Sequence, residues 1–405
     1  MSENPKIQEE RAPSFLSEVI GLLKSNISQY FMFIALIVIM IFFTITTDGI
    51  FISSRNISNL INQMGYIAVL AVGMTLVIVI RHIDLSVGYL AGFLGAFAAI
   101  AMTAWGLPVY AVIPMVLILG IASGLLTSTP IAKLGVPAFV STMAAGLIFR
   151  GALLLVTMGT GTIIIKDKVF NAIGNGFIPD IPDFGFLDNN HKVTLLLGAL
   201  GIILFILSAI KGRKTKLSYN FKVPSMPIFI LELVLIAAII GYVSWVLSGY
   251  NGLSWSLVVV LLVVAVFTFI TTKTPLGRHI YAVGGNPEAA ELSGISVSKI
   301  TFIVFGAMGM LASLSGILYA SRLQSATTTA GLGFETDAIA AAFVGGVSAA
   351  GGVGTIPGSI VGALVMMSLT SGMNLMGIDI SIQYIVRGAV LVGAVIVDRA
   401  TRKGK

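Results

Sequence analysis

Apolar runs of about 20 residues, separated by short polar segments, make up most of this chain. A run of that length can cross the hydrocarbon layer of a membrane as a single α-helix. Of the 405 residues, 57% are hydrophobic and only 10% are charged, whereas about one quarter of the residues in soluble domains are charged. The sequence therefore predicts an all-α polytopic membrane protein with one membrane domain.

Twelve such runs can be placed along the sequence, at about 29–47, 57–80, 85–105, 109–129, 138–157, 193–210, 228–248, 254–271, 300–320, 336–353, 357–376 and 382–397. The run at 336–353 is short enough for a re-entrant segment. However, the basic segments at 272–299 and 398–405 should lie on the same membrane face. The chain between them must then cross the membrane an even number of times. We therefore predict twelve spans within a transmembrane permease domain at 29–397.

Lysine and arginine gather in a few segments between or beyond the apolar runs, namely 211–222, 272–299 and 398–405. Such residues mark the cytoplasmic side of a membrane protein. We therefore expect a cytoplasmic loop at 272–299, a cytoplasmic tail at 398–405 and both termini inside. Residues 1–28 lack the pattern of a signal peptide, and their apolar spacing predicts either an amphipathic surface helix or a disordered tail.

A polar segment between two apolar runs carries the signals of one short helix. Asn286 can cap its free N–H groups, Pro287 suits the first helical position, and Glu288 opposes the positive end of the helix dipole. Gly294 can close the helix in a left-handed conformation after about two turns. With Leu292 projecting, this helix either docks into another protein or merely joins two spans. The candidate coupling residues are Gly284, Gly285, Asn286, Pro287, Glu288, Ala289, Ala290, Leu292, Ser293 and Gly294.

Several strings in the sequence carry a family resemblance. They are Gly284–Gly294, Ile83–Gly88, Val136–Val140, Thr336–Ala341, and Gly345-Gly346 followed by Gly351-Gly352. In these strings the chain resembles bacterial sugar ABC-transporter permeases, the family that includes the ribose, xylose and galactose permeases. The extra pair of runs at 193–210 and 228–248 makes it most similar to xylose-type or multiple-monosaccharide permeases.

The resemblance implies a ten-span core plus two spans in the bacterial inner membrane. It also implies a sugar ABC-transporter ATPase as a separate chain, a periplasmic sugar-binding protein and a second copy of this chain, together with the lipid bilayer. In such a transporter, ATP binding would push on the helix at Pro287–Ser293 and open the cavity to the other side. The expected substrate is xylose or another pentose or aldohexose.

Three residues are candidates for the translocation pathway or its gates: Asp84, Ser86 and Asp337. A carboxylate at membrane depth is costly and marks either a pathway or the cap of a helix. Both readings are open, because each aspartate precedes a helical run. If both served a pathway, an ion-coupled secondary transporter would be an alternative function. The two aspartates also suggest an inverted repeat.

Other chemistry has little support in the sequence. There are no cysteines, and the three histidines stand far apart, so no metal site is predicted. A phosphate-binding Gly-x-x-x-x-Gly-Lys motif and a Gly-x-Ser-x-Gly motif are both missing from the sequence. We therefore expect no catalytic residue, no cofactor and no nucleic-acid partner, and we expect ATP hydrolysis on a separate chain.

Overall fold

The computed structural model describes residues 27–158, 161–182, 185, 190–221 and 223–402. These residues form fifteen α-helices and one two-stranded sheet. The helices are α1 (Ile27–Thr46), α2 (Ser54–Val79), α3 (Val87–Thr103), α4 (Val109–Leu134), α5 (Ala138–Thr157), α6 (Lys168–Asn175), α7 (Lys192–Ser218), α8 (Met226–Ser248), α9 (Trp255–Lys273), α10 (Pro275–Gly285), α11 (Pro287–Leu292), α12 (Val297–Leu323), α13 (Phe334–Val344), α14 (Ile356–Leu375) and α15 (Ile380–Arg402). The predicted N-terminal surface segment lies almost entirely outside the described residues.

Within the described ranges, nine helices are long and apolar enough to cross a membrane. Two shorter apolar helices, Met32–Thr46 within α1 and Val87–Thr103, add to them. The eleven-residue helix α13 falls in the remaining predicted run. Each of the twelve predicted runs thus contains a helix, which confirms the all-α polytopic fold. The orientation of the termini stays a prediction.

The predicted run at 336–353 is helical only as far as Val344, and residues 345–355 form a loop. Glycines in left-handed conformations make this loop, with φ of +87° at Gly346, +80° at Gly351 and +70° at Gly352. A side chain would be strained in these conformations, so the helix stops at the first glycine pair.

Helix α2 lies at the centre of the bundle. Every residue from Met64 to Val79 is buried, and the helix contacts α9, α12, α13 and α14. A helix stretch that is apolar on all sides has no polar stripe that must face water, so other helices can enclose it. Helix α12 is the second central element and packs most extensively on α4, α3 and α2.

Glycines spaced four residues apart let backbones touch within the bundle. Gly120 and Gly124 of α4 face the backbone of α12, where an added Cβ on Gly124 would lie 2.9 Å from the carbonyl carbon of Phe305. The other two such pairs, Gly88 with Gly92 and Gly358 with Gly362, also face backbone atoms of another segment. The small residues therefore serve close helix packing, as in other membrane helix bundles.

The bundle has two distinct ends. Helix α12 runs over 27 residues, about 40 Å, from the neighbourhood of α11 to that of the antiparallel sheet of β1 (Thr162–Ile164) and β2 (Ser325–Thr327). We call these the coupling end and the strand end. Helices α7 and α8 pack mainly on each other at the periphery, as expected of a pair added to a core.

Candidate coupling site

Helix α11 is the short capped helix that the sequence predicts. The Asn286 side-chain oxygen accepts a hydrogen bond from the Ala289 N–H at 3.1 Å, and Pro287 occupies the first turn with Glu288. Gly294 has a φ of +84° and ends the segment. The local geometry of the prediction is therefore confirmed, while the coupling role of these residues stays a prediction.

The faces of α11 differ in exposure. Leu292 is 91% exposed, whereas Ala290 is only 4% exposed and belongs to the apolar core. Glu288, Ala289 and Ser293 are also exposed. Ala290 therefore holds the helix against the bundle, and an exposed leucine beside a carboxylate remains as the outward surface.

Gly284 and Gly285 do not belong to the short helix but end α10. Sequence reasoning missed α10, although its start carries the same signal that revealed α11. The Thr274 hydroxyl accepts from the Gly277 N–H at 3.3 Å, and Pro275 is the first helical residue. A capping threonine followed by proline could have identified it.

The end of α10 is fixed to two other segments through what we call the glycine junction: Val79, Arg81, Gly284, Gly285 and Gly352. Arg81 Nε donates to the Gly284 carbonyl at 2.7 Å, and its terminal nitrogen donates to the Gly285 carbonyl. The Gly352 N–H donates to the Val79 carbonyl at 2.8 Å. Three segments that are far apart in the sequence thus meet in one hydrogen-bonded contact.

A further hydrogen bond strengthens this contact. The Tyr281 hydroxyl of α10 donates to the Gly354 carbonyl at 2.6 Å. Because α11 follows α10 directly and Ala290 anchors α11, the exposed surface at Leu292 is joined by continuous contacts to α2 and to the loop at 345–355. A rigid chain of contacts of this kind can transmit a displacement.

Asp84 lies in the loop between α2 and α3 and is buried, as is Ser86. Its carboxylate accepts from the Ser86 N–H at 2.9 Å and from the Ser86 hydroxyl at 2.6 Å. The same Asp-x-Ser arrangement occurs before α15, where the hydroxyl and N–H of Ser381 donate to Asp379 and lower the pKa of that carboxyl. The recurrence favours a local role for Asp84 in fixing the turn before α3.

Asp337 is placed differently, as the fourth residue of α13. Its carboxylate pairs with Arg387 of α15 at 3.2 Å, and both side chains are largely buried. Asp337 is therefore a partner in an ion pair between two helices and not a cap. Sequence reasoning missed Arg387, although an arginine inside an apolar run is itself a signal of a partnered charge.

A comparison with protein families decides what kind of protein this is. The profile described as "Branched-chain amino acid transport system / permease component" matches residues 56–395. The chain belongs to this permease family. The permease is therefore a transport subunit and not itself an enzyme, and it is a multi-pass protein of the bacterial inner membrane.

Individual relatives of this permease match over nearly their whole length. The xylose transport system permease protein XylH of Haemophilus influenzae is 38% identical over 93% of this chain and 98% of its own. XylH of Escherichia coli K12 is 38% identical, over 95% and 94%. The ribose import permease protein RbsC of Haemophilus influenzae is 34% identical, over 90% and 91%. No solved structure matches the chain.

Proposed function

We propose that this permease is the membrane-spanning subunit of an ATP-driven ABC importer for monosaccharides, with xylose or another pentose or aldohexose as substrate. The observation that carries the proposal is the 38% identity to XylH over 93% of this chain and 98% of that protein. The ribose permease RbsC is similar over 90% of this chain. Two relatives named for pentose transport are thus similar to nearly the whole chain.

A separate ABC-transporter ATPase is the proposed partner at the coupling end, which we assign to the cytoplasmic side. The exposed Leu292 with Glu288 offers that partner an apolar contact beside a charge. Closure of the ATPase on ATP binding would push α11, and the glycine junction would pass the displacement to α2 and the loop at 345–355. ATP therefore drives movement of helices, and no chemistry occurs on this chain.

A periplasmic sugar-binding protein is the proposed partner at the strand end. Its candidate contact regions are residues near 158–192 and 321–336. Parts of both regions form a folded cover, in which β1 pairs with β2 and Asn175 Nδ2 donates to the carbonyls of Ser321 at 2.9 Å and Arg322 at 2.8 Å. An ordered surface of this kind supports docking of a rigid partner.

A second copy of the permease is part of the proposal, with the translocation path between the two copies. Helix α15 leaves most of its apolar side chains exposed or only partly buried, and such a face can contact either lipid or another copy.

Two other functions make distinct predictions. A neutral amino acid is the alternative substrate, because the family profile is described for branched-chain amino acids. An ion-coupled secondary transporter using Asp84 and Asp337 finds less support, since Ser86 holds one carboxylate and Arg387 pairs with the other.

Uptake into proteoliposomes tests these alternatives together. The permease would be reconstituted with its copurifying ATPase and supplied with the matching binding protein, and labelled xylose, glucose, galactose and leucine would be offered with and without ATP. We expect ATP-dependent accumulation of a monosaccharide. Accumulation of leucine alone would reject the substrate class, and uptake that follows a proton or sodium gradient without ATP would reject the ABC mechanism.

A further inference from the structure

Three aromatic rings from three helices meet in the half of the bundle nearer the strand end. The ring centroids of Tyr66 and Tyr319 are 5.1 Å apart, those of Tyr66 and Phe334 are 4.8 Å apart, and those of Tyr319 and Phe334 are 4.9 Å apart. Tyr66 and Phe334 are buried, while Tyr319 is half-buried. The tyrosines bring hydroxyl groups into an otherwise apolar region.

Charged side chains surround this aromatic group. Glu335 and Asp337 follow Phe334 on α13, Arg387 pairs with Asp337 at 3.2 Å, and Arg322 follows Tyr319 by three residues on α12. Two carboxylates and two guanidinium groups therefore balance each other in charge. All four residues are partly buried. We call Asn62, Tyr66, Tyr319, Arg322, Glu335, Asp337 and Arg387 the polar cluster.

The polar cluster has hydrogen-bonding capacity that the described residues do not use. Asn62 lies one turn before Tyr66 on the same face of α2 and is 5% exposed, and its Oδ1 has no partner among the described residues. Glu335 Oε2 and Arg387 Nε are likewise buried without a partner there. Five side-chain atoms of the described residues are in this state, and three of them belong to this cluster.

Buried polar atoms without partners are costly and therefore rare, so a concentration of them calls for an explanation. We infer that the polar cluster is a binding site for the monosaccharide on its way through the membrane. The inference rests on the proposed function and adds the residues that contact the substrate. Carboxylate and amide oxygens would accept from sugar hydroxyls, guanidinium nitrogens would donate to them, and the tyrosine rings would cover the C–H face of the sugar ring.

The charge balance of the cluster favours a neutral sugar over an ion as its ligand. Asp337 and Arg387 already neutralise each other at 3.2 Å, so a bare ion gains little from the pair. A polyhydroxylated neutral molecule can instead use several donors and acceptors at once. Arg387 of the cluster lies on α15, whose exposed face is offered to lipid or to a second copy, so the cluster can open toward the proposed path between the copies.

A purely structural role predicts something different. If the Asp337–Arg387 pair only fixes α13 to α15, exchanging the two residues would restore the ion pair and with it normal transport. If the pair also contacts sugar, the exchanged pair would restore folding without restoring affinity, because donor and acceptor positions would be reversed.

The test uses the complete transporter in proteoliposomes and measures the KM of uptake for xylose, glucose, galactose and leucine. The variants are Tyr66→Phe, Glu335→Gln, and the double exchange Asp337→Arg with Arg387→Asp. Tyr242→Phe and Glu232→Gln make the same chemical changes in the exposed helix α8 and serve as matched controls. ATP hydrolysis stimulated by the loaded binding protein is recorded for each variant.

We expect Glu335→Gln to raise the KM for sugar at least about tenfold, equivalent to about 1.4 kcal/mol. We expect Tyr66→Phe to raise it several-fold and to change the order of preference among the sugars. ATP hydrolysis should stay near the wild-type rate in both, and both controls should transport normally. The double exchange should insert into the membrane without recovering the wild-type KM.

Unchanged KM and preference in Tyr66→Phe and Glu335→Gln would overturn the inference, as would full recovery by the double exchange. If the other variants fail to insert into the membrane, the KM of Tyr66→Phe alone tests the inference, since this substitution removes only one oxygen atom. Effects on leucine uptake and not on sugar uptake would reject the assignment to a monosaccharide. Failure of the wild-type protein to transport any sugar would instead count against the proposed function.

Discussion

Adding one methyl group at Gly284 should disrupt the glycine junction. In the structure a Cβ at this position would lie far inside the van der Waals contact distance of the Val79 carbonyl oxygen. It would also lie 2.8 Å from the Gly352 nitrogen and 2.9 Å from the Val79 carbonyl carbon. All three are backbone atoms, so no side chain can rotate away, and either α10 must move off α2 or the loop must shift.

The free-energy cost of Gly284→Ala follows from the contacts that the added methyl group disrupts. Overpacking a tightly packed contact costs about 1–3 kcal/mol. Displacing the loop also breaks the 2.8 Å hydrogen bond from Gly352 to Val79, and leaving those groups unpaired costs about 1–3 kcal/mol more. Together these terms give about 2–6 kcal/mol. Because about 1.4 kcal/mol corresponds to a tenfold change in an equilibrium, we expect Gly284→Ala to lower ATP-driven uptake by at least about tenfold.

Gly285→Ala is the matched control, since a Cβ on the adjacent glycine has no heavy atom within 4 Å. Both variants would be compared in proteoliposomes for sugar uptake and ATP hydrolysis, with the amount of inserted permease measured by immunoblotting. We expect Gly284→Ala to insert and to lose uptake, while Gly285→Ala retains most of it. Equal uptake in the two variants would refute the idea that the close approach at Gly284 transmits the movement.

Two further predictions concern α11. Leu292 is 91% exposed, so Leu292→Asp should leave the fold intact but abolish copurification of the ATPase. The control Leu332→Asp at the strand end should leave copurification unchanged. If the ATPase still copurifies with Leu292→Asp, docking at Leu292 is wrong. Gly294→Ala strains a residue with a φ of +84° by about 1–2 kcal/mol, and Glu288→Gln removes a helix-dipole contribution of about 0.3–1 kcal/mol. Both should let ATP hydrolysis continue while uptake falls, more so in Gly294→Ala, and normal uptake in both would contradict a coupling role.

The parts of the structure that the sequence predicts are those set by neighbouring residues. The cap at Asn286 and the closing glycine at Gly294 act within a few positions of each other, so α11 could be placed almost to the residue. The apolar runs likewise locate the spanning helices, because length and hydrophobicity decide membrane insertion. The loop at 345–355 was not predicted, because the apolar run continues past the glycine pair at which the helix ends.

The arrangement of the helices was decided only by tertiary structure. Helices α2 and α8 both contain apolar stretches long enough to span a membrane, yet the first is enclosed and the second is largely exposed. Lipid tails are as apolar as a protein core, so hydrophobicity cannot tell these positions apart. Close approach of backbones at glycines and pairing of polar groups select the packing instead.

The sequence by itself determined that the chain spans a membrane many times and carries a short capped helix between two spans. Only the tertiary structure joined Arg81 to the carbonyl of Gly284, 203 positions away, and Asp337 to Arg387, 50 positions away. The physical reason is the separation along the sequence of the residues that interact. Hydrophobic runs and helix caps are local properties, whereas a hydrogen bond between distant segments depends on how the whole bundle packs.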